Sequence, residues 1–372
     1  PRLIAAMARQ AERMCHCSFG GITHEEGALL ADELCGRAPP GLERVFYSDN
    51  GSTAIEVAVK LAVKFAALTG APRRQRFVSL EGAFHGETLA ATSLGGIELF
   101  RRSLGGILFD TIRVAAPSDG DAHQRAFEEL RRVLATSPDE IAAVVLEPRV
   151  LGVAGMRIYG DEYLRQVRAL CDRHDVLLVF DEVFTGYGRT GPMWACNAAG
   201  VSPDLLCLAK GFTGGVLPMA ATLVTERVFR AFTGEASRTF YYGHSYCGHP
   251  LGAAIAREVL RIYDDEQILA RAEPKARAIA AAFEAMRELP NVARTRSLGM
   301  IGALDLRAPE GAPQGYLARA GWHVYEAARR RGVHLRPLGD VVYIAPPLNI
   351  SDDDLEELLG KTREAVAETL SR

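Results

Sequence analysis

The sequence predicts an α/β fold: a large, doubly wound, mostly parallel sheet followed by a smaller α+β domain. Three observations carry this. Short β-rich runs alternate with helical patterns through the middle of the chain. Several of those runs are continuously apolar, as parallel strands covered on both faces require. After about residue 255 the pattern shifts to long helices and a few separate strands. The 372 residues suit two domains, expected at 41–255 and 256–372, with 1–40 packing near the second.

The strands are expected at 45–47, 76–80, 142–146, 176–180, 205–208 and 220–224, and helices between them at 53–68, 127–134 and 161–174. In helix 53–68 the polar residues Glu56, Lys60 and Lys64 fall on one stripe and nearly everything else is apolar. That helix is therefore buried on most of its circumference, with Glu56 oriented to pair with Lys60. Further on, 252–288 reads as helix broken near Pro274, 300–306 as strand, 315–331 as helix and 341–344 as strand. A last helix starts at Ser351. Ser351 and Asp354 read as its capping box, and Leu355, Leu358, Leu359, Val366 and Leu370 as its apolar face.

Composition narrows the function. Hydrophobic residues make up 48% and charged residues 24%, an ordinary globular balance. The net charge of −3 argues against non-specific nucleic-acid or anionic-membrane binding. No apolar run reaches the ~18 residues of a membrane span, and Pro1-Arg2-Leu3-Ile4 opens no signal-peptide core. Seven scattered cysteines read as free thiols, and a cytoplasmic protein is expected. Cys15-His16-Cys17, with His24 nearby, fits no usual zinc spacing, so no metal is expected.

The chemistry is read from position. Asp49-Asn50-Gly51-Ser52, Phe84-His85-Gly86, Glu147, Asp181 and Lys210 each follow an expected strand. The carboxyl ends of parallel strands form the ligand crevice of such sheets, so five such sites point to one pocket. Gly51-Ser52 opens a helix and suits a phosphate cradle; the alternative is that Ser52 or Thr53 is only the cap. Lys210 ends an apolar run, where a dry crevice makes its amine a nucleophile; the alternative is a solvated strand-end lysine. Asp181 ends another and needs a cationic partner; a structural ion pair with Arg189 is the alternative. A phosphate cradle, an aromatic ring at Phe84, a carboxylate and a lysine together suit pyridoxal 5'-phosphate. A non-catalytic protein binding a phosphorylated ligand is the rival reading.

The block from Asp181-Glu182-Val183-Phe184-Thr185-Gly186-Tyr187-Gly188-Arg189-Thr190-Gly191 to Lys210 resembles the signature of the class III aminotransferases. Ser48 to Ser52, Phe84-His85-Gly86 and Glu147-Pro148 resemble the same family. The resemblance implies the pyridoxal-phosphate transferase fold type I and a homodimer with active sites shared at the interface. It implies Lys210 as the amine that holds the cofactor and moves the proton, and Asp181 as the partner of the ring nitrogen. Gly51 and Ser52 would hold phosphate, Phe84 and Val183 the two ring faces, and His85 and Glu147 would complete the cofactor's surroundings. Ser245 would reach the partner's phosphate. Phe84, Gly243 and Arg336 would meet substrate, Arg336 through a bidentate carboxylate pair.

Phe19 to His24, Gly155-Met156-Arg157, Trp194-Ala195-Cys196 and Arg336 to Gly339 are similar to the branch of the family that serves biotin synthesis. That branch implies amination of 8-amino-7-oxononanoate with S-adenosylmethionine as donor; a class III aminotransferase acting on ω-amino acids or diamines is the alternative. Two departures stand out: Phe84 where the branch often has Tyr, and Gly243-His244-Ser245 where it often has Gly-Pro-Thr. The chain starts at Pro1, well inside the family's usual start, and the family's N-terminal pocket aromatics have no counterpart in it; the sequence leaves open whether that segment is absent or lies ahead of Pro1.

Overall fold

The computed structural model describes residues 1–118, 120–307, 311 and 315–369, and these form two compact units. The first comprises Pro1–Leu151, Tyr159–Tyr187 and Trp194–Glu266; the second comprises Gly152–Ile158, Gly188–Met193 and Gln267–Arg372.

A seven-stranded sheet organises the first unit. Its strands are β1 (Leu42–Ser48), β2 (Arg76–Leu80), β3 (Thr111–Val114), β4 (Ile141–Leu146), β5 (Leu177–Asp181), β6 (Leu205–Leu208) and β7 (Ala220–Thr225). The spatial order is β1-β7-β6-β5-β4-β2-β3. Only β7 runs against its neighbours, pairing antiparallel with β1 and β6; the other pairs are parallel. Every residue of β4, β5 and β6 is buried, which is why these runs carry no alternation. Helices α1 (Arg2–Arg13), α2 (Glu25–Cys35), α3 (Gly51–Leu68), α4 (Asp121–Thr136), α5 (Asp161–His174) and α6 (Pro250–Asp265) belong to this unit.

Helix α3 buries Ile55, Val57, Ala58, Leu61, Ala62 and Phe65 on the sheet. The expected Glu56–Lys60 pair gives way to other partners. The Glu56 carboxylate accepts the Ala90 N–H at 2.8 Å, and the Lys60 ammonium lies 3.9 Å from the centre of the Tyr242 ring. A backbone N–H that would otherwise lack an acceptor is the more demanding partner.

Residues 1–40 were expected beside the C-terminal domain. They fold instead with the first unit, because α1 and α2 both pack on α6. Arg2 reaches Glu258 and Asp265, each at 2.7 Å, and Arg257 reaches Glu26 and Glu33 at 2.7 and 2.9 Å. The expected 255/256 boundary thus falls inside α6, and the division comes at Gln267, whose left-handed φ of +49° ends that helix run. Pro274 does not break the chain. It sits within α7 (Ile268–Met286), where its missing N–H costs one backbone bond but leaves the packed face intact.

The second unit packs α7, α8 (Ala320–Arg330) and α9 (Asp352–Glu368) with an antiparallel sheet of β8 (Val292–Leu298), β9 (Ile301–Leu306) and β10 (Val341–Ile344). Ile279, Phe283, Leu304, Val324, Val342 and Val366 share its core. Helix α8 is shorter than the expected 315–331, since Gly315–Leu317 form a separate 3-10 turn. At the start of α9, the Ser351 hydroxyl oxygen accepts the Asp354 N–H at 3.0 Å and its O–H donates to Asp354 Oδ2 at 2.6 Å. The cap is real, but the acid returns to the hydroxyl rather than to the Ser351 N–H, so the box is half-formed. Leu370, expected on the apolar face of α9, lies outside the described residues.

Candidate active site

The parallel strands deliver the expected residues to one edge of the sheet. Asp49 and Asn50 follow β1, Phe84-His85-Gly86 follow β2, Glu147 follows β4, Asp181 ends β5, and Lys210 stands just past β6.

At the first of these ends, Asn50 caps α3. Its Oδ1 accepts the Thr53 N–H at 3.0 Å, and Thr53 Oγ1 accepts the Asn50 N–H at 3.1 Å. Capping therefore falls to Asn50 and Thr53, and Ser52 takes no part in it. The Ser52 Oγ instead accepts the Glu87 N–H at 3.1 Å, joining the helix start to the Phe84-His85-Gly86 loop. Two glycines make this approach possible. A Cβ on Gly86 (φ +124°) would lie 2.0 Å from Ser52 Oγ, and one on Gly51 would lie 2.6 Å from Val183 Cγ1. The result is a helix N-terminus with a hydroxyl, bare backbone and an apolar side chain around it, which suits an anion attached to a ring.

Behind it lies a buried acid–imidazole pair. Asp181 is 4% exposed and His85 is 3% exposed. Asp181 Oδ2 is 2.8 Å from His85 Nδ1, and Oδ1 accepts the Val183 N–H at 3.1 Å. Burial works against a charged imidazole, but the hydrogen bond and charge of Asp181, with Glu147, outweigh it and raise His85 above its ordinary value. His85 Nε2 is buried and has no hydrogen-bond partner among the described residues. The partner of Asp181 is thus His85. Arg189, the other candidate, donates instead to the carbonyls of Met300 and Pro346 at 3.2 and 2.7 Å. Glu147, also buried, accepts the Phe84 N–H at 3.0 Å, and its own carbonyl accepts the Tyr159 hydroxyl at 2.6 Å. Phe84 is half-buried, edge-on to Phe100.

Lys210 departs from the expectation of a dry crevice. It is exposed, and its Nζ lies 5.2 Å from the centre of the Phe184 ring. The physical reason is its backbone: a left-handed φ of +50° at the head of a 3-10 turn carries it out of the buried strand line. Gly243 (φ +152°) and Ser245 are also exposed. Their neighbour His244 places Nε2 3.4 Å from Asp49 Oδ1, beside the α3 cap. Arg336 is exposed in the second unit, on the loop before β10.

Two features escaped the sequence reading. One is the His85–Asp181 pair, although both residues stood at strand ends. The other is Glu182, which is fully buried and accepts the N–H groups of Ala195 and Cys196 at 2.6 and 2.9 Å. Burial pushes its carboxyl up to about 7 against the pull of those donors, and neighbouring Asp181 adds to the rise. A second acid directly after a buried strand-end acid was the available signal.

The sequence model of the family "Aminotransferase class-III" matches residues 1–366. The adenosylmethionine-8-amino-7-oxononanoate aminotransferase of Geobacter sulfurreducens is 40% identical over 97% of this chain and 83% of its own length. The crystal structure of the Methanocaldococcus jannaschii enzyme of that name superposes with a TM-score of 0.94 at 34% identity, covering 99% of this chain and 85% of the other. An amine transaminase from an uncultivated Pseudomonas species, in its pyridoxal-phosphate-bound form, matches at a TM-score of 0.93 and 31% identity, with 99% and 87% covered. The family's cofactor is pyridoxal 5'-phosphate; the helix start at Ser52 suits its phosphate and the buried acid at Asp181 suits its ring nitrogen. By sequence and by fold type I architecture, the chain belongs to the class III aminotransferases.

Proposed function

We propose that this aminotransferase converts 8-amino-7-oxononanoate to 7,8-diaminononanoate, with S-adenosylmethionine as the amino donor, in biotin synthesis. The observation that carries the reading is the shared name of the relatives: the Geobacter sulfurreducens and Methanocaldococcus jannaschii proteins both bear it, at 40% and 34% identity over nearly the whole chain.

Each residue then has a role. Bound pyridoxal phosphate supplies an aldehyde and an electron-withdrawing ring. Lys210 Nζ would hold the aldehyde through its amine and would take and return the proton at the amino-bearing carbon of the substrate. Asp181, oriented by His85, would face the ring nitrogen and favour a proton there. Ser52 and the bare backbone at Gly51 would hold the phosphate, while Phe84 and Val183 would confine the ring. Glu147 fixes Phe84 through its N–H. Arg336 is assigned the substrate carboxylate; Gly243 and Phe84 are each assigned a substrate contact of their own. Ser245 is assigned the phosphate of the partner's site, which makes the working unit a homodimer; a biosynthetic enzyme of this kind belongs in the cytoplasm.

The match to an amine transaminase at a TM-score of 0.93 favours a second reading, with ω-amino acids or diamines as donors. A donor screen with 8-amino-7-oxononanoate as acceptor decides, with product read by mass spectrometry. Diaminononanoate formed from S-adenosylmethionine is the expected result. Product only from ω-amino donors or lysine overturns the assigned donor. Borohydride reduction of the yellow holoenzyme is expected to fix the cofactor to Lys210; labelling elsewhere overturns that role.

A further inference from the structure

Two helices of the first unit begin in the same unusual way. Helix α2 is capped by His24 in His24-Glu25-Glu26-Gly27, and α6 by His249 in His249-Pro250-Leu251-Gly252. In each, the imidazole Nδ1 accepts the N–H of the glycine three residues on, at 3.0 Å for Gly27 and 3.2 Å for Gly252. In each, that glycine leaves room for the ring: a Cβ would meet His24 Cε1 at 3.0 Å or His249 Nε2 at 2.6 Å.

A ring nitrogen that accepts an N–H carries no proton, so the proton of both rings is on Nε2. His24 Nε2–H donates to the Gly248 carbonyl at 2.6 Å, and His249 Nε2–H faces the Pro218 carbonyl at 3.3 Å. The two caps therefore grip one short segment from both sides. His24 holds Gly248, and His249 ends the run Gly243–His249, four residues beyond Ser245. We propose that His24 and His249 are positioning residues that fix the Gly243–His249 segment through unprotonated Nδ1 atoms, so that protonating His249 releases it and withdraws Ser245 from the cofactor phosphate. The second half rests on the role assigned to Ser245 above.

The chemistry of release is direct. A proton on Nδ1 turns an acceptor into a donor facing a backbone N–H. It also puts a cation at the positive end of a helix. The groups around the caps mostly act in the same sense. His16, whose ring is 5.0 Å from that of Tyr246, and His244 both face His249 and repel a new charge. Asp49 is engaged by His244 at 3.4 Å. Glu25 and Glu26, in the first turn of α2, are taken by Arg13 and Arg257. The Cys247 thiol takes the His244 N–H at 3.3 Å. Burial, first, and the neighbouring histidines push His249 below its ordinary value, against the pull of the Pro218 carbonyl. The unfolded chain thus takes up this proton first on acidification. The contribution is complete above about pH 6.5 and is lost as pH falls below it.

The test uses the holoenzyme and two single variants, His24→Asn and His249→Asn, because asparagine caps a helix without titrating. Thermal midpoint and cofactor release are followed from pH 8 to 5, as differences from the parent at each pH. At pH 8 the variants should match the parent closely. By pH 5.5 the parent should release cofactor about tenfold faster than His249→Asn, one pH unit of linkage being tenfold. Parallel curves for parent and variants overturn the proposal. A midpoint that separates while cofactor release does not supports the caps and overturns the role of Ser245. If a variant fails to fold, 15N imidazole shifts of the parent decide. Unprotonated Nδ1 on both rings at pH 7 supports the proposal; a protonated one overturns it.

Discussion

At the end of β5 two adjacent carboxylates are held in opposite ways. Asp181 faces an imidazole, whereas Glu182 faces the backbone N–H groups of Ala195 and Cys196 and the Cys196 thiol. A buried acid with a raised value binds its proton more tightly in the folded chain than in the unfolded one. Its contribution to stability is present at low pH and is lost as pH rises from about 4.5, its ordinary value, through about 7. Over that window we expect a loss of roughly 3 kcal/mol attributable to Glu182. Glu182→Gln should flatten this part of the profile, read from urea midpoints between pH 5 and 8; an unchanged slope would assign it elsewhere. Asp181→Asn addresses the chemistry instead. It removes the charge that His85 pairs with and that the proposed role gives to the ring nitrogen, and kcat should fall on the order of 10²-fold or more. A variant that keeps its rate would remove Asp181 from the reaction.

Helix α3 shows how an element is tuned to a ligand. Its cap uses Asn50 and Thr53, so Ser52 is left to face the Gly86 loop. Gly86→Ala would drive a methyl into Ser52 at a backbone angle that alanine rarely adopts. We expect cofactor affinity to drop about tenfold or more, by titration of the ring absorbance; unchanged affinity would place the phosphate elsewhere. This element was largely legible beforehand. Its apolar circumference, and the wholly apolar runs of β4, β5 and β6, announce a sheet covered on both faces. The strand-end residues Glu147, Asp181 and Lys210 follow from those runs. The elements that escaped were β3, four residues reading Thr-Ile-Arg-Val, and β8, with its charged Arg294 and Arg296. Both lie at sheet edges, where one-sided pairing tolerates polar residues and blurs the period. Helices α1 and α2 escaped as well. Their place is decided by ion pairs to α6, far away in sequence, which no local pattern announces. Side-chain pairing was the least legible layer. Glu56 takes a backbone N–H at the start of the short helix Leu89–Leu94, and Asp181 takes His85 from the loop after β2, rather than the neighbours their spacing offered.

For the molecule as a whole, the reading of Ser245 sets a test of assembly. Lys210→Ala subunits mixed with Ser245→Ala subunits should form hybrids with one intact site if each serine serves the opposite subunit. Random reassociation then restores about a quarter of parental activity from two poor parents. If Ser245 serves its own subunit, both sites of a hybrid are damaged and nothing is regained. The backbone at Lys210 carries a different consequence. A left-handed lysine costs about 1–2 kcal/mol in steric crowding, which glycine avoids at a cost of about 0.5–1 kcal/mol in chain freedom. Lys210→Gly should therefore be inert and yet withstand slightly more denaturant, read from its midpoint; a lower midpoint would show the turn to be unstrained. A lineage that lost its need for the reaction would drift toward that sturdier chain, and only continued selection for turnover keeps the amine in place.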